Sequence, residues 1–304
     1  MRILSLSFLL GLFFLCSPIL NAQELPEWQN LSVVTQNTEA PRSTFYVYDS
    51  EEEAVENAYY KSKNLLLLNG TWKFNLADTP EQRPKDFYQP DFKTNDWDDI
   101  NVPGDWQMQG YDFPLYVSAG YTHAINPPFV DTIYNPIGSY KREFKIPKDW
   151  KAKQIKLYFG GVTSVFYVWI NGKKVGYDED AKTPSEFDIT SFIKPGNNEI
   201  AVEVYRWSDG TYLEDQDFWR LSGIERDVYV YALPKTHIQD FFFKAGLDAE
   251  YIDGIFDGKI AVKNDGATTE NLQLDLKISD ANEELYSATQ SLKLASAKSD
   301  TLQF

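Results

Sequence analysis

Four carboxylates, two arginines and two tryptophans stand within the fifteen residues from Arg206 to Arg220, RWSDGTYLEDQDFWR. A surface loop has no use for so many large side chains, and a buried loop holds them only where each charge has a partner. The chemistry of the chain is therefore assigned to this stretch. Residue types alone leave two roles for each acid, a ligand contact or an ion pair. On that basis Asp217 reads as a loop carboxylate paired with Arg206 or Arg220. Glu214 and Asp215 read as structural partners of the nearby arginines, and Asp209-Gly210 as a turn. Trp207 and Trp219 offer a stacking platform, but Trp at strand ends more often fills a core. Both are assigned to the interior, as are Trp97 and Trp106. His123 and His237 lie far apart with no third ligand in view, which argues against zinc. The sequons at Asn30 and Asn69 are short and common and carry no weight. No phosphate loop, nucleophile elbow or nucleotide fingerprint occurs.

The elements around this stretch read as strands. SYKREFKI (139–146), QIKLYFGGV (154–162), SVFYVWING (164–172), KKVGYDED (173–180), SEFDITSFI (185–193), NEIAVEVYRW (198–207) and RDVYVYAL (226–233) are short and separated by turn signals such as Asn171-Gly172. Asn64 to Leu76 reads as strand, Asn-Gly turn, strand. Three Pro within Asn126–Pro136 make a rigid loop and exclude helix. With almost no helical periodicity, the fold class is all-β: a jelly-roll sandwich over 64–233. Pro234 marks a boundary. Beyond it, 234–304 carries four strand-like runs and a fifth, SDTLQF, that stops at Phe304. An immunoglobulin-like sandwich needs about seven strands over about 100 residues, so this second domain is expected to be incomplete. Residues 23–63 form a polar arm with one short helix announced by Ser50 and Glu53.

The 304-residue chain opens with a signal-peptide pattern over 1–22: Arg2, an apolar run, Pro18 and Ala22 before the cut. Export to the periplasm or the extracellular space is expected, with no membrane span. Cys16, the single Cys, follows Leu15, which does not suit a lipid-anchor motif. The mature chain then has no thiol for a disulfide or a thiolate metal site. A net charge of −16 argues against nucleic acid or an anionic membrane as partner.

Several long blocks resemble the N-terminal part of a glycoside hydrolase family 2 β-galactosidase: LNGTWKF (68–74), VPGDWQMQGYDFPLY (102–116), NPPFV (126–130), NPIGSYKREF (135–144), FGGVTSVFYVWINGKKVGYDEDAKTPSEFDIT (159–190) and Arg206 to Val230. The resemblance implies a sugar-binding jelly roll, an immunoglobulin-like domain and then a TIM barrel. The barrel would carry both catalytic carboxylates of a retaining mechanism, and this sequence stops before it. No residue here is therefore assigned a catalytic role, and the chain alone is expected to be inactive.

The resemblance implies further that the last Asp of LEDQD, Asp217, binds a sodium ion and the galactose 6-hydroxyl. A carboxylate is a hard ligand for an alkali cation and a strong acceptor for a hydroxyl. The remaining sodium ligands would come from the barrel, and magnesium is a further ion of the full-length enzyme. The family's sugar-binding Asn after the GYDxPxY turn is replaced here by Ser118, a shorter donor and acceptor. The implied partner is a β-galactoside, with a homo-oligomer when full length. Alternatives are a non-catalytic carbohydrate-binding module, a scaffold for assembly, or another family 2 enzyme such as β-glucuronidase.

Overall fold

The computed structural model describes residues 25–214, 216–280 and 283–304. The signal-peptide segment 1–22 and Asp215 lie outside the described residues. Two antiparallel sheets form the first sandwich. The larger runs, in spatial order, Thr35–Gln36, Lys173–Asp178, Val165–Ile170, Gly196–Tyr205, Ile137–Ile146, Gly70–Ala77 and Asp98–Val102. The smaller runs Ser185–Asp188, Gln154–Phe159, Val228–Leu233 and Leu65–Leu67. Their inner faces interdigitate through Trp72, Phe74, Tyr140, Leu157, Phe159, Phe166, Val168, Val202 and Val230, all buried. Alternation sets this up: in Gly70–Ala77 the buried residues Trp72 and Phe74 are separated by the half-buried Lys73. Val165–Ile170 is buried almost continuously instead, because both of its faces are covered. Phe166 and Val168 enter the inter-sheet core, while Val165 and Tyr167 join an outer cluster with Trp28. Trp28 comes from the N-terminal arm and stacks on Tyr205 at 5.0 Å.

The arm is fastened along its length. Thr35–Gln36 adds an edge strand to the large sheet against Lys173–Asp178, and Arg42 pairs with Glu186 at 2.7 Å. The Ser50 hydroxyl accepts from the Glu53 amide at 3.2 Å, capping the helix Glu51–Glu56. Gly176 makes room for the arm, because a Cβ there would lie 2.3 Å from the Gln36 carbonyl.

One local reading changes. Leu65–Leu67 and Gly70–Ala77 are not a hairpin, because they lie in opposite sheets. Asn69-Gly70 is the crossover between them, fixed by Asn69: its amide donates to Asp227 at 2.7 Å and its side-chain oxygen accepts from the Val228 amide at 3.0 Å. A further short strand, Leu115–Val117, begins just after Pro114. Pro lacks a donor only at its own position, so the strand forms from the next residue. Asn171-Gly172 turns the hairpin as expected, with positive φ at both residues (51° and 82°).

From Thr236 onward the chain builds a second, all-β unit. Thr236–Leu247, Gly254–Asn264 and Lys298–Gln303 form one sheet, and Glu270–Asp280 pairs with Glu283–Leu294 in another. Ile260, Val262 and Leu294 are its buried centre. Phe242, Phe243, Leu247 and Ile255 remain exposed on its first two strands.

Candidate functional site

The stretch from Arg206 to Arg220 leaves the large sheet at Tyr205, makes a single 3-10 turn over Asp209–Tyr212 and re-enters a strand at Phe218–Arg220. The turn is held by a reciprocal cap. Ser208 receives the backbone amide of Thr211, and the Thr211 hydroxyl receives the Ser208 amide at 3.0 Å. Arg206 anchors the start. Its guanidinium is fully buried and pairs with the equally buried Asp112 of the GYDFPLY turn. It also donates to the carbonyls of Phe113 at 3.1 Å and Arg220 at 3.3 Å. Burial pulls its pKa down despite the opposing pull of Asp112. Asp112 further accepts from Tyr134, from the Trp106 indole at 3.4 Å and from Gln107 at 3.3 Å. One buried carboxylate thus ties three separate segments into a rigid base.

On that base Phe218–Arg220 pairs antiparallel with Leu115–Val117, Phe218 opposite Val117 and Trp219 opposite Tyr116. Ser118 and Asp217 lie at the bends just beyond the ends of these two strands. Side chains alternate along strands and directly opposed residues share a face. Tyr116 and Trp219 are such an opposed pair, and their rings lie 5.6 Å apart. The Tyr116 hydroxyl donates to Asp217 Oδ1 at 2.6 Å, and this bond raises the Tyr116 pKa. Asp217 is thus held by a residue about a hundred positions away in sequence, and both Asp217 and Ser118 are exposed.

The residue-type assignments fare unevenly. Asp217 pairs with neither arginine in the ion pairs found among the described residues; Arg206 is taken by Asp112 of the GYDFPLY turn. Trp207, Trp97 and Trp106 are buried as expected, but Trp219 is 54% exposed, because its strand turns that face outward. Arg220 reaches the backbone carbonyl of Glu214 at 3.0 Å. The Glu214 carboxyl itself is pushed up to about 7, chiefly by burial. It borders a cleft of about 410 Å³ with Lys182, Phe218, Trp207 and Thr163. Asp209 is more than a turn residue. It is buried, and burial raises both its pKa and that of Glu179, whose carboxyl faces it and accepts from the Tyr177 hydroxyl. No local signal announces that pair, since the partners lie on separate segments. His123 joins no ligand cluster; its ring sits against Tyr121, Trp207 and Tyr212. Among the described residues no group of three or more His, Cys, Asp or Glu is placed to hold a metal ion.

Residues 65–234 match the family description "Glycosyl hydrolases family 2, sugar binding domain", and residues 236–304 match "Glycosyl hydrolases family 2". The chain belongs to glycoside hydrolase family 2. Its similarity to the β-galactosidase of Priestia megaterium is 45% identity over 267 residues, which is 86% of this chain and 26% of that protein. The β-galactosidase of Halalkalibacterium halodurans is 42% identical over 239 residues, 77% of this chain and 23% of that one. This family 2 chain thus spans about a quarter of the length of these relatives. A crystal structure of a Bacteroides uniformis β-glucuronidase superposes with a TM-score of 0.64 at 23% identity, covering 79% of this chain and 27% of that one. That likeness is one of fold.

Proposed function

We propose that this chain is the sugar-facing front of an exported β-galactosidase that hydrolyses terminal β-galactosides with retention. The reading follows from family 2 membership and from relatives of 40–45% identity named β-galactosidase. The observation that carries it locally is the exposed edge at which the Tyr116 hydroxyl holds the Asp217 carboxylate beside the Trp219 ring. In this reading Asp217 accepts a galactosyl hydroxyl and supplies one oxygen ligand to a sodium ion. Its carboxylate suits that role, because it is exposed and the bond at Oδ1 leaves acceptor capacity at Oδ2. Sodium would supply a fixed positive charge for sugar oxygens. Ser118, shorter than Asn, makes the lesser contact. The acid/base and nucleophile belong to a barrel domain beyond the residues described, which also completes the sodium site; magnesium and the homo-oligomer belong to that larger enzyme. A glucuronidase reading lacks comparable support, since its structural likeness extends only to the fold. No helix among the described residues is long and apolar enough to cross a membrane.

The test is hydrolysis of a chromogenic β-galactoside by the 304-residue chain, beside the same chain extended through whatever coding sequence follows Phe304. Activity in the longer form alone is expected. Activity in the short chain would overturn the claim that it lacks the catalytic pair, and silence in both would favour a binding module. In the active form, Asp217→Ala should raise KM and abolish the response to sodium. Unchanged kinetics across a sodium titration would refute the assignment of Asp217.

A further inference from the structure

We propose that Trp219 and Tyr116 complete the sugar-binding face, Trp219 as a stacking surface for the apolar side of a galactosyl ring and Tyr116 as the positioning residue that aims the Asp217 carboxylate. The inference rests on the role of Asp217 proposed above and adds two residues to it.

Register places the two side chains directly opposite each other, and their rings meet at a centroid distance of 5.6 Å and a tilt of 50°. The Tyr116 hydroxyl then reaches past Trp219 to the diagonal neighbour, Asp217, at 2.6 Å. Diagonal cross-strand contacts lie within the span of an aromatic side chain. The bond ties down Oδ1 of an exposed carboxylate, so the group is held in one orientation with Oδ2 able to accept. Nothing structural requires these rings to be exposed. The sandwich buries Trp72, Trp106 and Trp150 completely, yet Tyr116 and Trp219 are 53% and 54% exposed. Their strands, Leu115–Val117 and Phe218–Arg220, are each three residues long and form a two-stranded ribbon. Its outer face serves no inter-sheet core.

The chemistry of the face selects the ligand. A purely apolar partner would bury the Asp217 carboxylate without compensation, at a cost. A sugar ring offers both an apolar C–H face and a rim of hydroxyl donors. Asp217 sits at the bend just before the strand Phe218–Arg220, and Tyr116 touches both it and Trp219. That placement suits a pyranose lying on the indole with an exocyclic hydroxyl donated to Asp217.

The experiment uses the longest in-frame form of the protein and compares Asp217→Ala, Tyr116→Phe, Trp219→Ala and Trp219→Phe. Galactose binding is followed by calorimetry, and nitrophenyl galactoside hydrolysis by KM and kcat across a sodium titration. Trp219→Ala should weaken galactose binding by about 3- to 10-fold, with Trp219→Phe restoring much of it. Tyr116→Phe should raise KM and the half-saturating sodium concentration by a similar factor while kcat holds within about twofold. A merely structural Tyr116 would move the melting temperature and leave the sodium response unchanged. If Asp217→Ala weakens binding but Tyr116→Phe and Trp219→Ala do not, this inference is wrong and the role of Asp217 stands. If Asp217→Ala has no effect, or the parent binds no galactose, both fall together.

Discussion

Replacing Arg206 by Met should destabilise the jelly roll by about 3 kcal/mol, since removing one member of a buried pair costs about 3–5 kcal/mol by leaving the other charge uncompensated. The guanidinium and its partner Asp112 are 0% and 1% exposed. Asp112 would keep donors from Tyr134, Trp106 and Gln107, which argues for the lower end. The carbonyls of Phe113 and Arg220 would also lose their donor. The assay is urea unfolding followed by tryptophan fluorescence. Every Trp lies before residue 234, so the signal reports the jelly roll and not the second unit. With a urea slope of about 2 kcal/mol/M, the midpoint should fall by about 1.5 M. Asp112→Asn should also be costly, and the double variant should cost less than the sum by about 2 kcal/mol. A midpoint shift below about 0.3 M for Arg206→Met, or strict additivity in the double variant, would refute the claim that this pair clamps the site.

Two further outcomes are expected. Asp105 carries a carboxyl pushed up to about 6, first by burial and next by the charge of Glu225. A raised folded pKa favours the protonated form, so the fold is penalised as pH climbs from the unfolded value near 3.8 through 6. Asp105→Asn should therefore stabilise the jelly roll at about pH 7.5 by about 1–2 kcal/mol, after discounting for its partial exposure, and by nothing at about pH 3.5; equal urea midpoint shifts at both pH values would contradict this. Gly176→Ala should cost about 1–3 kcal/mol, because its Cβ would strike the Gln36 carbonyl and the Phe187 ring. The arm around Thr35–Gln36 should then become the first site of limited proteolysis, and an unaltered cleavage pattern would count against close packing of the arm.

Strand content, the Asn171-Gly172 hairpin and the all-β class were legible in the sequence, because each depends on a local signal: side-chain period or turn chemistry. Asn69-Gly70 shows the limit. An Asn-Gly pair marks a turn, but whether the flanking strands pair with each other depends on Asp227 and Val228, which capture Asn69 from across the fold. Trp219 shows it again. Its type predicts burial, and only pairing with Leu115–Val117 decides which way its face turns. The charges follow the same rule. The residue types could say that Arg206 and the carboxylates near it need partners, since unpaired charge is costly to bury. The choice of Asp112 for Arg206, of Tyr116 for Asp217 and of Glu179 for Asp209 was made by tertiary structure. Strand register brings distant side chains within hydrogen-bond reach, and proximity in sequence does not. The sequence alone determined what kinds of group the site holds; the packing of the two sheets determined which of them are locked into the base and which are left free to meet a ligand.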